Sequence, residues 1–198
     1  MIPVRLLKYG LVVCHLALIL IFFHPVLFSG KTFFFRDIHR WFYPMKFFLS
    51  ESFQNGSVPF WCPHYFCGAP FMSDMQSGVF YPLSLLFGAF PFPLSLNLFI
   101  LLHIFLAGLF FYLFIRSAGL SQSAGWITCI SYAFGGYTLS CINVLNNLTV
   151  LVWLPAVMWS FRCAFENNSR KFYLATLFFL CCAILGGEPQ LFILIAGL

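Results

Sequence analysis

The sequence predicts an all-α integral membrane protein: a polytopic helix bundle with a long first extracytoplasmic loop. Three observations lead there. The 198 residues are 62% hydrophobic and only 8% charged, where soluble domains carry about 25% charged residues. The apolar residues gather into runs of membrane-crossing length separated by short polar turns. The basic residues flank those runs instead of forming one patch, which is the pattern of a topology signal and argues against a nucleic-acid surface.

Taken in order, Arg5 and Lys8 precede an apolar run over 9–28. About twenty residues at about 1.5 Å each cross a hydrocarbon core of about 30 Å. Leu27-Phe28-Ser29-Gly30 lacks the small residues of a cleavage site, so the run reads as a retained first span with a cytoplasmic N-terminus. The loop 29–93 follows. In it Ile38, Trp41, Phe42, Met45, Phe48, Leu49 and Ser52 recur at helical spacing. Arg40, Lys46 and Glu51 fall off that stripe. The pattern predicts an amphipathic helix lying on the membrane, with Pro44 dividing it or starting its second part. Asn55-Gly56-Ser57 is a turn, 61–82 an ordered irregular loop, and 81–93 an interfacial or re-entrant segment broken by Pro82, Gly88, Pro91 and Pro93.

Further spans are predicted at 94–115, 124–142, 148–163 and 172–185, with the start of another at 191–198. The third carries Gly125, Ser131, Gly135, Gly136 and Ser140, small residues that allow close helix approach. Pro155 predicts a kink in the fourth. A final run too short to span predicts that the chain is the N-terminal part of one larger transmembrane domain. In this topology Arg116, Arg162, Arg170 and Lys171 join Arg5 and Lys8 on the cytoplasmic side. The loop and the Gly186–Gln190 turn share the opposite face, in a cell (cytoplasmic) membrane.

Most of the eight cysteines lie in apolar runs and behave as small hydrophobes. Cys62 and Cys67 share the loop, where an oxidising compartment would permit a disulfide. His64 lacks a second ligand pair for a metal. His103 reads as a buried neutral imidazole bonded to a neighbouring helix, and His15 and His24 as packing within the first span. No P-loop, dinucleotide fingerprint, nucleophile elbow or zinc pair is present.

The polar island 31–82 holds Asp37, Glu51 and Asp74 and four basic residues, Lys31, Arg36, Arg40 and Lys46. It reads W-C-P-H-Y-F-C-G-A-P-F, then Q-S-G-V-F-Y-P. These motifs resemble the bacterial YfhO-type membrane protein family, itself similar to the GT-C class of lipid-linked-sugar glycosyltransferases. The match runs through Trp61, Pro63, Cys67, Gly68, Pro70, Phe71, Gln76, Ser77, Phe80, Tyr81 and Pro82. Cys62 stands where Asn is usual, and Asp74 near a usual Asn. Gly187-Glu188-Pro189-Gln190 is similar to the family's G-H-P-Q with Glu in place of His.

The resemblance implies a polyprenyl-phosphate sugar donor in the membrane lipid, an acceptor in the cell envelope, and no nucleic-acid partner. It implies a catalytic acid soon after the first span, which by position is Asp37. Sugar transfer requires a base for the acceptor hydroxyl and a partner for the leaving phosphate. Asp37 suits the first role. Arg36, Arg40 and Lys46 suit the second, since cations match phosphate oxygens, with Glu188 and Gln190 as further substrate-binding residues. Asp37 and Asp74, with Glu188, also offer oxygen ligands for a divalent cation. The plainer reading makes Asp37 a helix cap and the basic residues headgroup anchors. Two rivals remain: a transporter or flippase, favoured by the Gly-Gly-Glu-Pro break, and a non-catalytic remnant, favoured by the abrupt end.

Overall fold

The structure, a computed structural model, describes residues 4–65 and 67–197. Leu198 of the predicted final run lies outside them, as do the side chains of Arg5 and Lys8. Among the described residues every regular element is helical. The chain opens with α1 (Val4–Phe22) and α2 (His24–Phe28), then a loop leading to a π-helical turn (Ile38–Phe42) that runs into α3 (Tyr43–Gln54). Short 3-10 turns at Met75–Ser77 and Pro82–Leu85 and the one-turn α4 (Leu86–Ala89) complete the loop. The bundle follows as α5 (Leu94–Ser117), α6 (Gln122–Ala133), α7 (Gly136–Cys141), α8 (Leu145–Leu151), α9 (Trp153–Asn167), α10 (Arg170–Leu185) and α11 (Pro189–Ala196).

Helix α5 is the axis of the bundle, packing most extensively on α6 and α9, while α9 also pairs with α10. Among the described residues it is one of two helices long and apolar enough to cross a membrane, at 24 residues. The other is Leu145–Asn167, formed by α8 and α9 in line, at 23 residues.

Proline accounts for two of the helix breaks. Pro25 has no N–H for the Ile21 carbonyl, and the His24 ring takes that acceptor at 3.1 Å. The predicted 9–28 span is therefore two helices, broken at Phe23. Pro155 likewise leaves the Leu151 carbonyl without its helical donor, and the Tyr132 hydroxyl donates to it at 3.1 Å. The helical assignment divides at Val152, three residues before Pro155, although Val152 keeps helical angles (φ −59°, ψ −34°) and its bond to the Leu148 carbonyl. Side-chain donors re-satisfy freed carbonyls in this way where water is excluded.

Two expectations are corrected. The 124–142 stretch is not one helix: it breaks at Phe134–Gly135, and Gly135 is extended (ψ 149°) as the cap of α7. Nor do its small residues form one packing face. Gly125 is buried against Tyr112 of α5, and Cys129 approaches Gly108, whereas Ser131, Gly136 and Ser140 are exposed. Tight approach to α5 thus uses the Gly125–Cys129–Ala133 side, one turn apart each.

The predicted separation of the polar ends is visible in contacts. Arg162 pairs with Glu166 at 2.5 Å and donates to the Ser117 carbonyl at 3.2 Å, holding the ends of α5 and α9 together. The long loop and the 186–190 turn meet at the opposite end of α5. Asn97, at the start of α5, donates to the carbonyls of Val26 and Lys31 and accepts from Thr32, stapling the chain as it leaves α2.

Candidate functional site

The loop is built on the amphipathic stripe. Ile38, Phe42, Met45, Leu49 and Ser52 are buried, and Trp41 and Phe48 are half-buried. Pro44 sits in the first turn of α3, where its missing N–H costs nothing. The far end of α3 is pinned by Ser50 and Gln54, which donate to the Phe87 carbonyl at 2.8 and 3.2 Å. The Asn55–Ser57 turn and the irregular 61–82 stretch are observed, with one antiparallel bridge between Cys62 and Ala69. All eight cysteines are free thiols, Cys62 buried and Cys67 exposed.

Lys46 departs from its predicted place. The sequence puts it off the apolar stripe as a phosphate partner, yet it is only 3% exposed. Its Nζ donates to the backbone carbonyls of Ser77 at 2.7 Å and Gln76 at 3.3 Å. Burial drives its pKa down from the ordinary lysine range to about 7, with Asp74 acting in the opposite sense. A neutral amine still offers two N–H groups, one for each carbonyl. Lys46 is therefore an internal clamp on the Gln76-Ser77-Gly78 turn, not a surface cation.

The clamped turn organises its neighbours. Gln76 accepts from Trp41 Nε1 at 2.9 Å, and its backbone N–H donates to the Asp74 carboxylate at 2.9 Å. Gly187, at φ +85°, packs on this turn so closely that a Cβ there would collide with the Met75 carbonyl oxygen. Asn146 and Thr149 of α8 hold the glycine pair, donating to the carbonyls of Gly187 and Gly186 at 3.4 and 2.8 Å.

A second network lies beneath. His103 Nδ1 is 2.6 Å from the Phe99 carbonyl, which can only accept, so that nitrogen carries the proton. Nε2 is then bare and accepts from the Tyr81 hydroxyl at 2.6 Å. Tyr81 in turn accepts from Trp153 Nε1 at 3.0 Å. His103 is a neutral buried imidazole as expected, but its partner is the Tyr of the F-Y-P motif. Periodicity carries no trace of this pairing or of the Lys46 clamp; the composition, rich in Tyr, Trp and Phe, was the one available hint.

The other predicted residues stay at the surface. Arg36 (φ +46°), Asp37 and Arg40 are exposed around the entry to the π-helical turn. Asp37 stands at the cap position but makes no side-chain cap hydrogen bond. Asp74 is half-buried, Glu188 half-buried beside Tyr137, and Gln190 exposed in the first turn of α11. Among the described residues no three His, Cys, Asp or Glu side chains converge on a metal-binding position. The Asp74 carboxylate accepts from the Gln76 backbone N–H.

Two clefts open on the loop. One, of about 230 Å³, lies between Met72–Phe80 and Ile184–Leu185 of α10, with Asp74 its charged lining residue. The other, of about 250 Å³, runs along α3 between Arg40, Trp41, Met45 and Phe48 on one side and Cys62, His64 and Tyr65 on the other.

Two apolar helices of crossing length among the described residues, with a loop stapled to one end of an all-helical bundle, fit the membrane protein that the sequence predicts. Residues 40–187, most of the chain, match a family described as "Predicted membrane protein (DUF2079)". The chain belongs to that family. Arg40, Lys46 and Asp74 lie inside the matched segment, and Arg36, Asp37, Glu188 and Gln190 just outside it. No curated protein and no solved structure matches the chain.

Proposed function

We propose that this protein belongs to a membrane glycosyltransferase that moves a sugar from a polyprenyl-phosphate donor to an extracytoplasmic acceptor, with its N-terminus in the cytoplasm. The supporting observation is the exposed group Arg36, Asp37 and Arg40, set where the chain leaves its first helices, with the Asp37 carboxylate free of any capping bond. The motif resemblance to YfhO-type proteins points the same way.

In this reading Asp37 takes the proton of the acceptor hydroxyl as that oxygen bonds to the sugar's anomeric carbon. The bond from that carbon to the phosphate oxygen breaks, and Arg36 and Arg40 neutralise the charge left on the phosphate.

The test is transfer of labelled sugar from a polyprenyl-phosphate donor in proteoliposomes carrying the intact protein. Asp37→Asn is expected to lower the rate by about 100-fold or more. An unchanged rate overturns the assignment of the base. Uptake of the sugar without transfer would favour the transport reading, for which the break between α10 and α11 is the structural argument.

A further inference from the structure

The sequence lays the amphipathic stripe of α3 on the membrane, but the fold turns that stripe into the protein: Ile38, Phe42, Met45 and Leu49 are all buried. Lipid contact by the loop therefore needs another apolar surface. One stands where the chain leaves its first helices. Phe33 turns inward onto Phe23, with ring centroids 5.7 Å apart. Its two neighbours turn outward, Phe34 at 67% exposure and Phe35 at 62%. Phe28, at the end of α2, is more exposed still, at 78%. Large rings left this open on one short strap form a surface that water disfavours and a partner would cover.

The fold also fixes the level of this strap along the bundle. At 24 residues α5 is about 36 Å long, slightly more than a hydrocarbon core of about 30 Å. Centred in the bilayer, it places Asn97, in its first turn, at one hydrocarbon boundary and Arg116, in its last turn, among the opposite headgroups. Asn97 donates to the Lys31 carbonyl at 2.9 Å and accepts from the Thr32 hydroxyl at 2.9 Å. Phe34 and Phe35 therefore leave the chain within a few residues of that boundary. Around them Lys31, Arg36 and Arg40 are exposed, against one exposed carboxylate, Asp37. The Arg36 guanidinium lies 5.9 Å from the centroid of the Phe35 ring, and the Phe34 and His39 rings stand 4.0 Å apart. Apolar rings beside cations suit a membrane interface, where the ring enters the acyl boundary and the cation stays among the phosphates. Depth and net positive charge together select a bilayer over a protein as the partner.

We propose that Phe34 and Phe35 are a membrane anchor, inserted into the leaflet on the loop side, with Lys31 and Arg36 on the phosphates of anionic phospholipids. The anchor requires only that α5 crosses a membrane, and not the glycosyltransferase reading. It bears on that reading in one respect. Asp37, two residues beyond Phe35, is held at the level of the lipid phosphates, where a lipid-linked donor carries its own.

The experiment replaces Phe34 or Phe35 by the photocrosslinker p-benzoylphenylalanine in the intact protein. The protein is irradiated in native membranes and in nanodiscs of phosphatidylcholine with phosphatidylglycerol, and mass spectrometry of the labelled peptide identifies what was captured. Both side chains are mostly exposed, so neither replacement disturbs the core. The same replacement at Phe28, at the end of the first helices, is the reference for lipid contact. The expected result is lipid adducts at both strap positions. Phosphatidylglycerol should be enriched among them about twofold or more over its share of the bilayer, and Lys31→Gln should lower that enrichment. Lipid capture at Phe28 with none at either strap position overturns the anchor. Capture of a protein at the strap in native membranes overturns it in favour of a protein partner. Phosphatidylglycerol at no more than its share overturns the assignment of Lys31 and Arg36 to anionic headgroups. Lipid at none of the three positions removes the membrane placement together with the anchor. Sugar transfer is not read here, so a failed transferase assay leaves the anchor standing, and failed capture leaves the transferase reading to its own test.

Discussion

The two clefts of the loop differ in how their walls are held. The wall of the first is welded to the bundle: Lys46 grips the Gln76–Ser77 backbone, Gly187 sits against Met75, and Tyr81 reaches into His103 and Trp153. The second is bounded by α3 and a loop segment, and Arg40 in its lining is exposed. Cations six positions apart in the sequence, Arg40 and Lys46, thus have opposite fates. One is available for a ligand and the other is a structural bond. Charge type alone would have given both the same role.

Substitutions can break or sharpen this contrast. The largest loss of stability is expected from Gly187→Ala, which combines a positive φ with a collision against the Met75 carbonyl. A cost of about 1–3 kcal/mol or more is expected in detergent unfolding, and an unshifted midpoint would mean that the turn does not seat on the loop. Tyr81→Phe comes next. It leaves the buried ring nitrogens of His103 and Trp153 without their shared partner, at about 1–3 kcal/mol.

Lys46→Met removes two donors from the clamp and should change how stability depends on pH. The folded-state pKa is lowered to about 7, whereas an unfolded lysine titrates near about 10.4. Between these values the unfolded chain binds more protons, so wild-type stability should rise with pH from about 7 to about 10.4 and carry the full burial penalty below about 7. Lys46→Met should flatten that rise. A slope that persists in the variant would assign it to another group. The smallest effect belongs to the open cleft: Arg40→Gln should shift stability by no more than about 0.5 kcal/mol, and a larger loss would show that Arg40 too is a structural residue.

Much of the loop was legible as sequence because its signals are local. The stripe from Ile38 to Ser52, the helix start at Pro44 and the turn at Asn55–Ser57 each follow from neighbours within a few residues. Lys46 was misread because the stripe was drawn too narrow. An inward face of a packed helix is about 100° wide or more, and Lys46 falls around the helix between Leu49 and the buried Ser50, toward the edge of that face. The third predicted span is two helices for a similar reason: an apolar run reports hydrophobicity, but Gly135 decided that the helix would stop inside it. For the candidate site, Arg36, Asp37 and Arg40 were found by their position after the first span. Trp41 was read only as part of the apolar stripe, His64 only as a lone histidine, and Tyr65 not at all, because their convergence needs the loop to fold back on α3.

By itself, then, the sequence determined the membrane class, the alternation of apolar helices with polar turns, and the amphipathic character of the loop helix. Those are properties of composition and spacing, which the bilayer and the helical period impose on any chain. The tertiary structure alone decided which cation turned inward, which carbonyl Tyr132 would satisfy, and which glycine would carry the contact between loop and bundle. These are choices of partner across long stretches of chain, made when burial leaves each polar group one neighbour able to satisfy it.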